Sequence, residues 1–240
     1  MILGIYGYQD SGKTTLVDQL VRALAQKGYK VSSVKHTPHR KSVDAEGKDT
    51  WRHWKAGSDP VVFSSEIETT IIKHSKTSIE EITRMVESEY HPDVIIIEGV
   101  KQGSFRKVAV GDLKPTKGTV LANPSLKDLV DYVRLEVAVE RNLEKLPGLD
   151  CGKCGHDCEG LARAVVAGKH KIEDCVELAD VDVEIFIGKN RINTGRFAST
   201  VVNDTVRGLL SSLHGYEPDK NVDIHLGARS RSRKSEKNRR

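Results

Sequence analysis

Short apolar runs alternate with amphipathic segments along the first 145 residues of the chain. The runs ILGIY (2–6) and DVIIIEG (93–99) are nearly continuous, which is typical of strands buried on both faces. The helical segments show apolar residues three and four apart, as in 14–28 with Leu16, Leu20 and Leu24 on one face. The predicted strands are 2–6, 30–35, two within 60–74, 93–99, 106–110 and 118–123.

Helix boundaries carry their own signals. Gly28 is placed to end the first helix, and Ser78 with Glu81 three residues later forms a capping-box pattern. The predicted helices are 14–28, a short one ending at Gly57 within 36–58, 78–90 and 125–133. Strands that alternate with helices in this way predict an α/β fold with a mostly parallel sheet covered on both faces.

The pattern changes near Leu146. A helix over 159–168 lies among cysteines, 182–192 predicts a hairpin turning at Gly188–Asn190, and 197–215 predicts an amphipathic helix. The fold class we predict is an α/β phosphate-loop NTPase with a small C-terminal cysteine-rich α+β domain. Its predicted divisions are 1–145 (nucleotide-binding domain), 146–178 (cysteine segment), 179–227 (small α+β region) and 228–240 (tail).

The net charge of +4 comes from the C-terminal tail. Residues 228–240 hold seven Lys or Arg and one Glu, which leaves 31 basic and 33 acidic residues elsewhere. Such a tail cannot bury a core, so we expect it to be disordered and to act mainly as a solubilising terminus. Nucleic-acid binding through this tail is a weaker interpretation.

No apolar run approaches the ~20 residues that a membrane span requires. The sequence begins MILGIYG, without the basic region of a signal peptide. We therefore expect a cytoplasmic protein that does not bind membranes. Thiols stay reduced in that compartment, so clustered cysteines more often hold metal than form disulfides.

The segment GYQDSGKTT (7–15) matches the phosphate-loop pattern G-x4-G-K-[ST] between a predicted strand and a predicted helix. The glycines let backbone N–H groups point at phosphate oxygens, the lysine reaches the outer phosphates, and the hydroxyl after it ligates Mg²⁺. The segment therefore predicts nucleotide binding. The nucleotide-binding candidates are Gly7, Asp10, Ser11, Gly12, Lys13, Thr14 and Thr15.

A carboxylate is also expected at the magnesium ion, and the strand 93–99 offers Asp93 and Glu98. Ligands of parallel sheets bind beyond the carboxyl ends of the strands. Asp93 starts its strand and would lie ~16 Å from that edge, whereas Glu98 ends the strand. We predict that Thr14 and Glu98 hold Mg²⁺.

The polar stretch 36–58 is long for a loop and follows a strand at the same edge of the sheet. It can close over phosphates or position water. Of its acids, Asp49 is preferred to Asp44 because Lys48 and Thr50 flank it. His36 and His39 have metal-ligand spacing but are more simply read as solvated.

Three segments together resemble the molybdopterin-guanine dinucleotide biosynthesis protein B (MobB) family. They are GYQDSGKTTL, VKHTPHR with DAEGKDTWRHWKAG, and IIIEGVKQGSFRKV, and the resemblance covers about residues 1–123. Beyond the phosphate loop, the matching positions are Lys35, His36, 44–50, Glu98, Gly99, Lys101 and Lys107.

The resemblance implies a GTP-binding accessory protein with slow GTP hydrolysis. Such a protein assists a guanylyltransferase that attaches GMP to molybdopterin in molybdenum or tungsten cofactor assembly, and a homodimer is an open option. Lys13, Glu98 and Asp49 are then the catalytic candidates, and Lys101 and Lys107 are candidates for phosphate contacts. Asn123 stands where relatives tend to carry an Asp that could read guanine, so the choice between GTP and ATP stays open.

All four cysteines lie within 25 residues, in the arrangement C-x2-C-x3-C-x16-C. The segment LPGLDCGKCGHDCEG resembles the [4Fe–4S] domains of anaerobic electron-transfer subunits and corrinoid iron–sulfur proteins, although these usually carry four residues between the second and third cysteines. Three close thiolates and one remote thiolate suit a four-iron cluster. The predicted ligands are Cys151, Cys154, Cys158 and Cys175.

Alternatives for the cysteines are a zinc site with His156 or His170 as a substitute ligand, a redox dithiol, or no function. Glycines at 152 and 155 would leave backbone N–H groups for cluster sulfurs. A rival function is a redox protein in which nucleotide binding at the phosphate loop alters an iron–sulfur cluster.

Overall fold

The computed structural model describes residues 1–39, 41–178, 183–188, 190–192 and 194–224. The predicted tail, 228–240, lies outside these residues. The strands and helices, in chain order, are β1 Ile2–Gly7, α1 Lys13–Gln26, β2 Val31–Lys35, α2 Asp49–Lys55, β3 Val61–Ser64, β4 Thr69–Ile72, α3 Ile79–Tyr90, β5 Val94–Glu98, β6 Arg106–Val110, β7 Thr119–Ala122, α4 Leu126–Leu143, α5 Cys158–Val166, β8 Ile185–Ile187, β9 Asn190–Ile192 and α6 Arg196–Leu210.

The central sheet has five strands in the order β2-β5-β1-β6-β7, and every neighbouring pair is parallel. This confirms the predicted parallel α/β fold. β1 lies in the middle, and Glu98 at the end of β5 is in register with Ile5 of β1 and Lys35 of β2. The loops that leave β1, β2 and β5 therefore start at one edge of the sheet.

Alternate strand residues point to opposite faces of the sheet, so continuously apolar strands make both faces apolar. Helices cover each of these faces. Leu3 and Ile5 pack in one core with α1 and α4, whose buried residues include Leu20 and Leu129. On the other face, Ile95 and Ile97 of β5 pack with Val100, and the α3 residues Ile79 and Val86 lie against them. β5 is buried along its whole length, as its apolar sequence predicts.

Helix α4 is longer than the prediction, which ended it at residue 133. It continues to Leu143, with Val137 and Val139 buried. Glu136 interrupts the apolar face at this point, so a charge appears where a core residue is expected. The helix continues because Arg106 and Arg163 neutralise that buried carboxylate.

The other predicted elements are present with modest shifts. β3 and β4 form an antiparallel pair separate from the central sheet. Ser78 caps α3, accepting a hydrogen bond from the Glu81 N–H at 3.1 Å, as the capping-box pattern predicts. α6 ends at Leu210, before the predicted residue 215.

The predicted hairpin is present as an antiparallel pair of β8 and β9. Asn190 belongs to β9 rather than to the turn.

Contacts divide the chain into two compact units. The first unit comprises 1–146 and 150–174. Most of the cysteine segment therefore belongs to the same compact unit as the five-stranded sheet and its helices. The second unit holds 147–149 and the described residues from Cys175 onward. In it the hydroxyls of Ser199 and Thr194 lie 3.0 Å apart. The predicted division near Leu146 stays a prediction.

No helix in the described part of the chain is long and apolar enough to cross a membrane.

Candidate functional site

The predicted phosphate loop connects β1 to α1 at the carboxyl edge of the sheet. Only glycine fits at position 7, because a Cβ there would lie 2.3 Å from the Val110 carbonyl oxygen and 2.5 Å from the Ser11 hydroxyl. Gly12 has φ +84°, a left-handed conformation that glycine adopts without steric cost. Both glycines of the motif are therefore explained by backbone geometry.

Helix α1 begins directly after this loop and carries no side-chain cap and no acidic residue in its first turn. The first N–H groups of a helix have no partner inside the helix, and the helix dipole adds positive potential at this end. Lys13 Nζ lies over the same loop, donating to the Tyr8 carbonyl oxygen and to Ser11 Oγ at 3.3 Å. The loop therefore has the donors and the charge that a polyphosphate requires.

Thr14 and Glu98 lie together beside this loop. The Thr14 hydroxyl donates to Glu98 Oε1 at 2.8 Å. A hydroxyl and a carboxylate are the oxygen donors that Mg²⁺ takes in nucleotide sites, so this pair fits a magnesium ion. Asp93, at the other end of β5, binds Arg141 at 2.6 Å and the Lys30 N–H at 2.8 Å, which is a structural arrangement.

Lys35 is a further partner of Glu98, with its ammonium on the same oxygen, Oε1. Burial tends to raise the pKa of Glu98, but the hydrogen bonds from Lys35 and Thr14 outweigh it, and the pKa is held below its usual value. Glu98 is therefore ionised at neutral pH, as a metal ligand must be.

The exits of β2 and β5 are pinned to each other. The His36 N–H donates to the Glu98 carbonyl oxygen at 2.8 Å. Gly99 has φ +93°, and a Cβ there would lie 2.3 Å from the His36 carbonyl oxygen. The backbones that leave β2 and β5 therefore approach each other closely at Gly99, where a side chain would not fit.

The acids of the 36–58 loop differ in their surroundings. Asp49 starts α2 with its side chain 86% exposed, 3.7 Å from Arg52 of the same helix. Asp44 accepts a hydrogen bond from the Thr50 hydroxyl on Oδ1 at 2.7 Å, and its shielded Oδ2 has no hydrogen-bond partner among the residues that the structure describes. The catalytic role predicted for Asp49 stays a prediction, and of the two acids it is Asp44 that accepts a side-chain hydrogen bond within the loop.

Asn123 lies at the exit of β7, and its amide is occupied by the backbone of Gly111. The Gly111 N–H donates to Asn123 Oδ1 at 2.7 Å, and Asn123 Nδ2 donates to the Gly111 carbonyl oxygen at 3.1 Å. A Cβ on Gly111 would lie 3.1 Å from the Ser11 Cβ, so this pair of hydrogen bonds, called the Asn123–Gly111 latch below, lies next to the phosphate loop. The predicted base contact of Asn123 would require these bonds to open.

Of the two lysines predicted for phosphate contacts, Lys101 lies over the ring of Tyr8 in the phosphate loop, 5.1 Å from its centre. Lys107 is 2% exposed, and its Nζ donates to the Gly103 carbonyl oxygen at 2.6 Å over the ring of Phe105. Lys107 thus supports the loop after β5 from inside the fold.

Cys151, Cys154 and Cys158 are free thiols; Cys151 is exposed, Cys154 half-buried and Cys158 buried, and Cys175 is buried as well. Asp157 caps α5, and the Cys158 N–H donates to Asp150 Oδ1 at 3.0 Å. One expectation is wrong: the Gly155 N–H is not available to cluster sulfurs, because it donates to the Gly152 carbonyl oxygen at 2.9 Å. Among the described residues, no group of three or more His, Cys, Asp or Glu is arranged to hold a metal ion.

Two histidines of the cysteine segment face each other. The Nε2 atoms of His156 and His170 lie 3.4 Å apart, and His170 Nδ1 lies 2.9 Å from Asp174 Oδ2. Two imidazoles on one tetrahedral zinc, with bonds of about 2.0–2.1 Å, would have their nitrogens about 3.3 Å apart. This pair therefore keeps zinc open as the alternative metal of the segment.

Helix α5 of the cysteine segment is fixed to α4 by a cluster of charges around the buried Glu136. Both guanidinium nitrogens of Arg163 donate to the carboxylate of Glu136 at 2.9 Å, and Arg106 lies 3.0 Å from the same carboxylate. Leu161 and Ala162 of α5 are buried. The cysteine segment is thus attached to the core by both packing and ion pairs.

The sheet, the loop and the appended cysteines define an α/β protein of the phosphate-loop class. The family description "Molybdopterin guanine dinucleotide synthesis protein B" (MobB) matches residues 2–131, just over half of the chain. The chain belongs to this family. A second description, "Putative Fe-S cluster", matches residues 146–177.

Relatives extend beyond the phosphate-loop core. A Methanocaldococcus jannaschii protein, "Putative molybdopterin-guanine dinucleotide biosynthesis adapter protein", is 28% identical over 94% of this chain and 97% of its own length. The "Molybdopterin-guanine dinucleotide biosynthesis adapter protein" of Haemophilus influenzae is 33% identical over 60% of this chain and 76% of its own. The crystal structure of Bacillus subtilis MobB covers 55% of this chain and 95% of its own at 20% identity, with a TM-score of 0.45.

Sequence reasoning missed the ion pair of Lys35 with Glu98 and the Asn123–Gly111 latch. Both contacts depend on which strands are neighbours in the sheet, and the order of strands cannot be read from the sequence. A signal existed for Lys35, since a lysine that ends a strand beside a strand ending in glutamate is well placed to pair with it.

Proposed function

We propose that this chain binds GTP with Mg²⁺ at the phosphate loop, hydrolyses it slowly, and assists a guanylyltransferase in attaching GMP to molybdopterin. The observation that carries the proposal is the contact of Thr14 with Glu98 beside the uncapped start of α1. Membership of the MobB family and the adapter names of its relatives support the pathway.

Each residue has a physical task in this proposal. The loop N–H groups and the Lys13 ammonium neutralise phosphate oxygens, and the start of α1 adds its dipole. Thr14 and Glu98 would hold Mg²⁺, whose charge offsets that of the outer phosphates. The guanine contact is assigned to the region of Asn123, where an amide opened from Gly111 can offer one acceptor and one donor.

Nucleotide binding to the full chain, measured by equilibrium dialysis of GTP and ATP with and without Mg²⁺, tests the proposal. We expect Lys13→Met to weaken GTP binding by about 100-fold or more, since it removes a charge from the phosphate contacts. Glu98→Gln should remove most of the stabilising effect of Mg²⁺ on GTP binding. Asp93→Asn is the matched control, because it changes the other acid of the same strand segment and should leave binding intact.

Two outcomes would overturn this assignment. One is GTP binding that survives Lys13→Met unchanged, and the other is a magnesium effect that follows Asp93 rather than Glu98. A preference for ATP would replace the nucleotide but keep the site.

For the cysteine segment we propose a [4Fe–4S] cluster held by Cys151, Cys154, Cys158 and Cys175. The support is the cysteine spacing together with the family description that matches residues 146–177. Anaerobic purification should yield broad visible absorption and about four irons per chain. A colourless chain that carries zinc, and loses it in His170→Ala, would instead favour the zinc alternative that the His156–His170 pair supports.

The rival function is a redox protein whose cluster responds to nucleotide. The charge cluster that joins α5 to α4 and to Arg106 of β6 favours it, because β6 ends at Val110, whose carbonyl oxygen lies against Gly7 of the phosphate loop. A reduction potential that moves on addition of GTP and Mg²⁺ would support this function. A reduction potential that does not change with nucleotide would contradict the redox function and leave the accessory role as the remaining proposal.

A further inference from the structure

Two donors converge on one oxygen of Glu98. The hydroxyl of Thr14 and the ammonium of Lys35 both bind Oε1. The Glu98 side chain is only 8% exposed, so few positions around that oxygen are open to any further ligand. A cation bound to Thr14 and to Oε1 of Glu98 would therefore share that oxygen with the Lys35 ammonium.

Lys35 reaches this position from solvent. It is the last residue of β2, in register with Glu98 of β5, and its side chain is 63% exposed along its length. A lysine is a flexible point charge, unlike the rigid fork of an arginine. Its ammonium can leave Oε1 for water without disturbing the strand that carries it.

We propose that Lys35 and a divalent cation compete for Oε1 of Glu98, so that Mg²⁺ binding at Thr14 and Glu98 displaces the Lys35 ammonium. This deepens the proposed function, because it rests on the magnesium site assigned there. Mg²⁺ requires its oxygen ligands at about 2.0–2.1 Å in octahedral geometry, which leaves no room for an ammonium on the same oxygen. Repulsion between the two cations in a shielded site acts in the same direction.

The displacement has a structural consequence at the start of the 36–58 loop. His36, the next residue, is pinned to the Glu98 backbone by its N–H and lies against Gly99. The backbone of this junction stays fixed while the Lys35 side chain is released. Metal binding therefore changes the charge presented at the entrance of the loop that is predicted to respond to nucleotide.

A cation titration of the full chain without nucleotide tests the proposal. Mn²⁺, a spectroscopic substitute for Mg²⁺, is added at about pH 8 and its free concentration is followed by electron paramagnetic resonance. We expect Lys35→Met to bind Mn²⁺ about tenfold more tightly than the wild type, because the competing charge is gone. Lys35→Arg keeps the charge and should bind Mn²⁺ no more tightly than the wild type does.

The matched control is Lys30→Met. Lys30 lies just before β2, so the variant makes the same change of net charge about 16 Å from the Glu98 edge. Adding Glu98→Gln to Lys35→Met should abolish the gain in Mn²⁺ affinity. A Lys35→Met chain that binds Mn²⁺ no better than Lys30→Met overturns the proposal.

A second measurement keeps the wild-type sequence and so does not depend on any variant folding. The rate of Lys35 acetylation by an amine-reactive ester, read by mass spectrometry, should rise when Mn²⁺ is added, while the rate at Lys30 stays constant. An unchanged rate at Lys35 under saturating Mn²⁺ contradicts displacement. GTP binding in the presence of Mg²⁺ is measured in parallel, and its absence would overturn the proposed function while leaving the Mn²⁺ comparison valid.

Discussion

Two buried glutamates of the first compact unit are neutralised in different ways. Glu136 of α4, 4% exposed, receives both nitrogens of the Arg163 fork and a third contact from Arg106. Glu98 of β5, 8% exposed, receives one lysine and one hydroxyl, both on a single oxygen. The two sites have similar burial but different partners.

The difference separates structure from function. Arginine forks match a carboxylate in two directions and fix the relative position of the helices that carry them. The partners of Glu98 can be exchanged, since a lysine head can move to water and a threonine hydroxyl can ligate a metal. We infer that Glu136 fixes the cysteine segment on the core and that Glu98 is kept for a ligand.

The largest effect on stability is expected at Glu136. Glu136→Gln removes the buried anion that Arg163 and Arg106 share and leaves them the more exposed Glu159 and Glu140. We expect the free energy of unfolding to fall by about 3 kcal/mol. Urea unfolding of the full chain, followed by circular dichroism, measures the change. Asp131→Asn on the same helix removes an exposed partner of Arg134 at 3.8 Å and should cost less than about 0.5 kcal/mol.

Equal stability of these two variants would contradict a structural role for Glu136. A further reading comes from proteolysis, since loosening α5 should speed cleavage within 147–160 in Glu136→Gln and not in Asp131→Asn.

A smaller loss of stability is expected at Gly99, which follows Glu98. At this glycine the backbones that leave β2 and β5 approach each other closely. Gly99→Ala places a Cβ at 2.3 Å from the His36 carbonyl oxygen in a left-handed conformation, and we expect a loss of about 2 kcal/mol. Gly47→Ala is the control, because Gly47 has a similar φ of +87° with open space around its Cβ. It should cost about 1 kcal/mol.

The gap between these two alanine variants measures the clash alone, since the conformational cost is common to both. If Gly47→Ala is as costly as Gly99→Ala, the close approach at His36 does not hold the junction. Gly99→Ala should also weaken Mn²⁺ binding relative to Gly47→Ala, because Glu98 precedes the displaced backbone.

Local sequence determined what could be predicted of this fold and site. The run VIIIE predicts a buried strand by itself, and the phosphate-loop spacing places Lys13 and Thr14 at the start of a helix without any knowledge of tertiary contacts. Glu98 was predictable because its position depends only on strand direction. These features need no information about distant residues.

Features that depend on distant residues were missed. The sequence predicts a helix that ends at residue 133, whereas α4 continues to Leu143 through Glu136, whose partners Arg106 and Arg163 lie 30 and 27 residues away in the chain. Lys35 gained its role from the neighbour order β2-β5-β1, which apolar runs do not encode. The Gly155 N–H is an exception, because the hydrogen bond that occupies it is local, to Gly152 three residues earlier.

The smallest expected effect is the pH dependence of the stability that the Glu98 carboxylate contributes. The folded-state pKa of Glu98 lies below its ordinary value of 4.5, because the bonds from Lys35 and Thr14 outweigh the effect of burial. The unfolded chain therefore binds more protons in this range, and the stability contributed by the ionised carboxylate is complete above pH 4.5 and lost as the pH falls through the folded pKa. The stability of the wild type minus that of Glu98→Gln should thus be constant above this range and decline below it.

Urea unfolding of both chains between about pH 7 and pH 3 measures this difference, and Glu98→Gln cancels the contributions of all other acids. In a Lys35→Met background the same difference should decline less, because the main cation that lowers the pKa of Glu98 has been removed. A decline of equal size in both backgrounds would assign the lowered pKa to Thr14 alone. Lys35 would then have no hold on the carboxylate, and its exchange with a metal ion would lose its physical basis.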